Sequence, residues 1–210
     1  MRRLVLIGGQ ATTRRFAGAE LLLVSPYAHH HYSGMVPGFL QSTYAERDLA
    51  FDLPALCRAA GAQFREAYAE RVDPAGQWVD VDGTRMECDL VSADVGSSPA
   101  GLHEVRGAQE HAFTVRPMSR AVALERQLAH RADSTGAAHR ETAVCVVGGG
   151  AAGVEVSLAI WRRLNTAGRV AALTLVDRTA ELLSDYTPAV RQTVAGYLPS
   201  AASTCELGEP

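Results

Sequence analysis

The chain has 210 residues, 47% of them hydrophobic and 20% charged, with a formal net charge of −3. That is the profile of a globular protein with room for one sizeable core or two smaller ones, and it leaves no basic footprint for nucleic acid. All 20 basic residues are arginine, which excludes a P-loop lysine, a Schiff-base lysine and pyridoxal phosphate chemistry.

Residues 4–7 (LVLI) predict a strand that runs into Gly8-Gly9. The apolar run stops there, short of the roughly 7–15 residues of a secretory signal core. Residues 20–24 predict the next strand. A helix over 11–17 between them would be only about 10 Å long, whereas returning along a five-residue strand takes about 17 Å. The first βαβ is therefore shortened, and Gln10 and Thr13 stand where a phosphate turn carries glycine.

Residues 25–38 (SPYAHHHYSGMVPG) are rich in turn formers and aromatics and are expected as a functional loop. Its consecutive His29, His30 and His31 cannot easily all face one ion, so a solvated loop is expected there and no metal site. Asp52 should cap a helix over 53–60 that Gly61 closes. Residues 64–70 and 78–81, joined through Asp73-Pro74-Ala75-Gly76, predict a hairpin. Residues 90–95 predict a strand opening onto the turn Gly96-Ser97-Ser98-Pro99. A crossover segment over 108–117 leads to a helix over 119–132, with Ala121, Leu124, Leu128 and Ala132 on one face, and then to a polar loop over 131–141. Cys57, Cys88, Cys145 and Cys205 form no C-x-x-C, so neither a redox dithiol nor a zinc cluster follows from them. No run approaches the roughly 18 apolar residues of a membrane span. The expectation is a cytoplasmic protein, soluble or membrane-peripheral.

Residues 144–155 (VCVVGGGAAGVE) organise the rest. Val144 to Val147 suit a strand buried on both faces of a parallel sheet. They enter Gly148-Gly149-Gly150-Ala151-Ala152-Gly153, a G-x-G-x-x-G. The pattern turns helical at Ala151, with Val154, Leu158, Trp161 and Leu164 along one stripe, and residues 165–168 stop it. A second strand over 171–176 ends in Asp177. Strand, glycine turn, helix, strand and terminal acid in that order make a dinucleotide-binding βαβ unit. Gly148 permits the tight turn, Gly150 lets the backbone approach a pyrophosphate, and Gly153 lets the helix pack closely. The pyrophosphate would lie on the helix N-terminus, over Ala151 and Ala152. Asp177, at the strand end, would meet ribose hydroxyls and favour NADH over NADPH, although Arg178 beside it could accommodate a 2′-phosphate. Residues 198–210 show no strand or helix pattern that completes this second fold.

Taken together, RLVLIGG (3–9), PYAHHHYSGMVPG (26–38), DLPALCRAAGAQF (52–64), DVGSSP (94–99) and VVGGGAAGVE (146–155) resemble the FAD- and NAD(P)-binding pyridine nucleotide–disulfide oxidoreductases. Within them, the chain is similar to type II NADH dehydrogenase-like proteins of the kind found fused to selenide, water dikinase. The resemblance implies an α/β chain with two Rossmann-like dinucleotide-binding folds, of the three-layer ββα/βαβ flavoprotein type, with the C-terminal part missing. An FAD-binding domain would occupy residues 1–115 and an incomplete NAD(P)H-binding domain residues 116–210. Gly8 and Gly9 would face the FAD pyrophosphate, Ser25 its adenosine ribose, and Gly96 and Ser97 the cofactor at the strand turn. Pro37 would lie against the flavin ring and Glu155 near the nicotinamide–flavin contact. Glu155 has a plainer reading as an acid that suits a helix N-terminus. Hydride would pass from NAD(P)H to FAD and on to a quinone-like small acceptor, since a C-x-x-x-x-C dithiol relay is missing. A C-terminal part or partner chain would complete the enzyme. Two alternatives stand beside this: a nucleotide-binding fragment or decayed copy without a competent FAD site, and a non-flavin Rossmann dehydrogenase, whose Tyr-x-x-x-Lys form the lack of lysine disfavours.

Overall fold

The run from Leu4 to Ile7 is apolar at every position because both of its faces are covered. Leu4 and Leu6 pack with Leu21, Leu23, Leu53 and Cys57, while Val5 and Ile7 pack with Leu22, Val24, Val79 and Val81. Successive side chains of a strand point to opposite faces, so this one run serves two cores. The computed structural model describes residues 2–8, 18–99, 101–133, 142–168, 171–179, 181–200 and 203–207. In chain order the strands are β1 (Arg2–Gly8), β2 (Ala19–Ser25), β3 (His29–His31), β4 (Ala50–Asp52), β5 (Gln63–Glu66), β6 (Ala69–Asp73), β7 (Trp78–Val81), β8 (Thr84–Glu87), β9 (Leu90–Asp94), β10 (Thr142–Val147), β11 (Ala171–Asp177) and β12 (Ser203–Leu207). The helices are α1 (Val36–Leu40), α2 (Leu53–Ala60), α3 (Ala108–His111), α4 (Met118–Asp133), α5 (Ala151–Thr166) and α6 (Pro188–Ser200).

Two units make up the chain. The first comprises Met1–Tyr32 and Leu49–Ala100, the second Ser33–Asp48 and Gly101–Pro210. In the first, β5-β2-β1-β9 form a sheet whose pairings are all parallel, and β6-β7-β8 form an antiparallel meander. Helix α2 covers one face of the parallel sheet and the meander covers the other, which gives three layers in the order ββα. Helix α2 begins and ends as predicted. The Asp52 side chain accepts the Ala55 N–H at 2.8 Å, and Gly61 closes the helix at φ +69. The crossover over 11–17 lies outside the described residues.

In the second unit β10-β11-β12 form a parallel sheet. Val154 and Leu158 of α5 pack with Val146 of β10, Leu175 of β11 and Leu198 of α6. On its other side α5 meets α1 and α4 through Val156, Ile160 and Leu164, against Val36, Leu40, Ala121 and Leu128. A polar tie runs through the same contact: Arg163 donates to the Leu40 carbonyl at 3.0 Å and pairs with Glu125 at 2.9 Å. The predicted face of α4 is thus the packed one at Ala121, Leu124 and Leu128.

Four expectations need correction. Residues 25–38 are not one loop: β3 pairs antiparallel with β4, and α1 starts at Val36 with Pro37 in its first turn. His29–His31 are therefore strand residues, held by a ladder to a segment about 20 residues away in sequence. The predicted first hairpin strand is two strands. Its start, β5, joins the parallel sheet beside β2, and only β6 pairs with β7. Strand β10 is covered on one face only: Ala143, Cys145 and Val147 are exposed, Val147 by 82%. It ends the sheet order, and its covered face is the one turned to α5 and α6. Finally, residues 203–207 do form a strand, β12, parallel to β11 and opposite Leu173–Asp177.

Candidate functional site

The ladder between β10 and β11 carries the chain straight into the glycine turn. The Gly148 N–H donates to the Val176 carbonyl at 2.8 Å, and Gly148 then turns at φ +116, a conformation that side chains rarely adopt. Gly150 is the N-cap of α5, and its carbonyl accepts the Val154 N–H at 3.1 Å. A Cβ on Gly153 would overlap the Gly148 carbonyl oxygen, so the first turn of α5 sits against the strand end only because that residue has no side chain.

Gly150 is different. Its φ of −74 and ψ of −179 suit any residue, and a Cβ there would meet nothing within 4 Å. Glycine caps less well than Ser, Asp or Asn, and here no side chain caps the helix and no acid stands in its first turn. The first N–H groups of this 16-residue helix thus have no capping side chain and no first-turn acid to offset the positive end of its dipole. Such an end accepts an anion.

Asp177, the last residue of β11, turns back onto this turn. One carboxylate oxygen, Oδ2, accepts the Gly149 N–H. The other, Oδ1, accepts the Thr179 N–H at 3.0 Å and its hydroxyl at 3.2 Å. The Thr179 amide above all, with help from the Gly149 and Arg178 amides and the Thr179 hydroxyl, holds this carboxyl below its ordinary value of 3.8, against the pull of partial burial. Gly148, Gly150, Ala151, Ala152, Gly153 and Asp177 are in this way gathered at one end of β10 and β11. Glu155 follows on α5 and is exposed. Pro37 lies on α1, which packs against α5 in the same unit.

The other named residues lie in the first unit. Gly8, Ser25 and Gly96 stand at or just past the C-terminal ends of β1, β2 and β9, which run parallel. Gly8 has φ +113, and a Cβ on it would overlap the Asp94 carbonyl. Gly96 has φ +74 and Ser97 is exposed. Ser25 is buried, with its hydroxyl donating to the Tyr27 carbonyl at 3.1 Å. Gly9 lies outside the described residues. His30 is pushed below its usual pKa by burial, with the Asp94 carboxylate pulling it up and His31 pushing it down. Among the described residues no group of three His, Cys, Asp or Glu side chains is placed to hold a metal ion.

Sequence reasoning missed Gly149 and Thr179. The G-x-G-x-x-G pattern leaves the position of Gly149 open to any residue, and only the run of three glycines marks it.

The chain belongs to the pyridine nucleotide-disulphide oxidoreductase family, whose profile matches residues 9–201. No curated protein matches it in sequence. Among solved structures it is similar to the sulfide:quinone oxidoreductase of Aquifex aeolicus, at 16% identity and a TM-score of 0.82, over 99% of this chain and 51% of that one. It is also similar to NDH2 from Plasmodium falciparum in complex with NADH, at 12% identity and a TM-score of 0.77, over 98% of this chain and 48% of that one. A ferredoxin reductase from Rhodopseudomonas palustris matches at 15% identity and a TM-score of 0.74, over 98% and 50%. At such identities the likeness is one of fold, and the chain spans about half the length of these structures.

Proposed function

We propose that this chain is the nucleotide-binding portion of a flavin-dependent NAD(P)H oxidoreductase, with NADH held at the β10–α5 turn and FAD at the end of β1. One observation carries the reading: at Gly150 neither backbone conformation nor packing asks for glycine, yet the residue stands where a diphosphate would approach the open amides of α5. Gly148 and Gly153 shape the turn, and the amides of Ala151 and Ala152 face the anion. Asp177 accepts a hydrogen bond from a ribose hydroxyl and repels a 2′-phosphate, which favours NADH.

For FAD, we assign Gly8, Gly9, Gly96 and Ser97 to backbone approach. Ser25 fits less well, since its hydroxyl proton is given to Tyr27. When both coenzymes are bound, hydride transfer between nicotinamide and flavin is their own chemistry. The task of the chain is to hold and orient them, and we assign Pro37 and Glu155 to the reacting rings. The acceptor we favour is a quinone or another small oxidant. No helix among the described residues is long and apolar enough to cross a membrane, and we place the protein in the cytoplasm or at a membrane surface. A nucleotide-binding part without turnover is the second reading. It is favoured by the sequence after Gly9, where Gln10 and Thr13 stand in place of the glycines of a phosphate-binding pattern.

NADH titration of the parent and of Gly150→Val tests the proposal. The variant should fold normally and lose at least tenfold in affinity; equal affinity would refute the site. Reduction of a quinone dye by NADH, with and without added FAD, separates turnover from binding alone.

A further inference from the structure

Gly149 is a glycine for a reason that its backbone does not supply. Its φ is not positive, unlike that of Gly148. A Cβ there would stand 2.5 Å from Asp177 Oδ2, 2.7 Å from Leu182 Cδ2 and 3.0 Å from Asp177 Cβ. Both of its backbone polar groups are held: the N–H donates to Asp177, and the carbonyl accepts the Leu183 N–H at 2.9 Å. Thr179 holds the other carboxylate oxygen through its amide and shares its single hydroxyl proton between Asp177 and the Glu181 carbonyl at 3.0 Å. A carboxylate offers about four lone-pair sites. Oδ1 takes both Thr179 hydrogen bonds and Oδ2 the one from Gly149, so Oδ2 is the atom to which an incoming hydroxyl would donate.

We propose that Gly149 and Thr179 are positioning residues that fix the Asp177 carboxylate for a ribose 2′-hydroxyl, so that the glycine turn and residues 177–183 recognise NADH as one unit. This rests on the coenzyme site proposed above. A carboxylate on an untethered loop would have to be ordered when the ligand binds; here that ordering precedes binding. The fixed negative charge also opposes a 2′-phosphate, so selectivity arises from repulsion as well as attraction. Arg178 follows Asp177 directly and gives the carboxylate its backbone amide, while Glu181 is paired with Arg191 of α6.

The experiment is calorimetric titration of the full chain with NADH and with NADPH, for the parent, Gly149→Ala, Thr179→Val, Thr179→Ser and Asp177→Ala. Gly149→Ala should weaken NADH at least tenfold and NADPH far less. Thr179→Val should weaken NADH about three- to tenfold, with Thr179→Ser restoring it. In the parent, NADH affinity should hold until the pH drops below the ordinary aspartate range, and in Thr179→Val the fall should begin at higher pH. If Gly149→Ala does not fold, the two Thr179 variants carry the test. Equal losses for both coenzymes, or an unchanged pH profile in Thr179→Val, would overturn the positioning role. If Asp177→Ala loses the NADH preference while Gly149→Ala and Thr179→Val keep it, positioning fails and the coenzyme site stands. A parent that binds neither coenzyme overturns both.

Discussion

Two strands of this chain, β1 and β10, look alike as sequence and differ as structure. Each is a short apolar run that ends in glycine at a strongly positive φ, +113 at Gly8 and +116 at Gly148. Strand β1 is buried on both faces, between α2 and the β6–β8 meander. Strand β10 is covered on one face. The glycines differ too: Gly8 is pressed against the Asp94 carbonyl, whereas Gly148 has open space and the close contact has moved to Gly153, on the helix. An apolar run reports that a strand forms; how many layers cover it is decided elsewhere in the chain.

The widest difference should appear in the cores. Leu23→Ala, in the buried sheet of the first unit, should cost about 2–5 kcal/mol, while Val147→Ala on the bare face should stay within about 0.5 kcal/mol. Urea denaturation measures both, and a large loss at Val147 would mean that its face is covered in solution. Next come the turns. Gly8→Ala combines overlap with strain and should cost about 2–4 kcal/mol. Gly148→Ala carries strain alone and should cost about 1–3 kcal/mol; a reversed order in thermal melts would remove the distinction drawn between them. Glu125→Ala takes the carboxylate from the largely buried Arg163 and should destabilise the second unit by about 1.5–3 kcal/mol, with little effect on the first.

The smallest effect is acid sensitivity. Asp177 binds its proton less tightly folded than unfolded, so its contribution is complete above its ordinary value of 3.8 and lost as pH falls below it. Asp177→Asn should flatten that part of a stability-against-pH curve, and an unchanged curve would mean that the carboxylate is not held.

The β10–α5–β11 unit was legible because its signals are local. A strand, a glycine turn, a 3.6-residue stripe and a closing acid follow one another within about 35 residues, and helix α2 likewise carries both of its caps beside it. What escaped depends on distant partners. Nothing near His29–His31 announces pairing with residues 50–52, and nothing within 63–73 says that its first half joins β2 while its second half turns toward β7. Strand β12 is a short, partly polar run whose identity comes from lying beside β11. Gly149 escaped because the side chains that a Cβ there would have to displace belong to Asp177, 28 residues further along, and to Leu182.

One further consequence concerns how the molecule can be taken apart. Val36 and Leu40 fill the core of the second unit, yet they lie on a segment bracketed on both sides by sequence of the first. A single cleavage near residue 100 would hand those side chains to the wrong fragment and leave α4 and α5 facing a hole. Any dissection of the two units must carry residues 33–48 across as a separate graft.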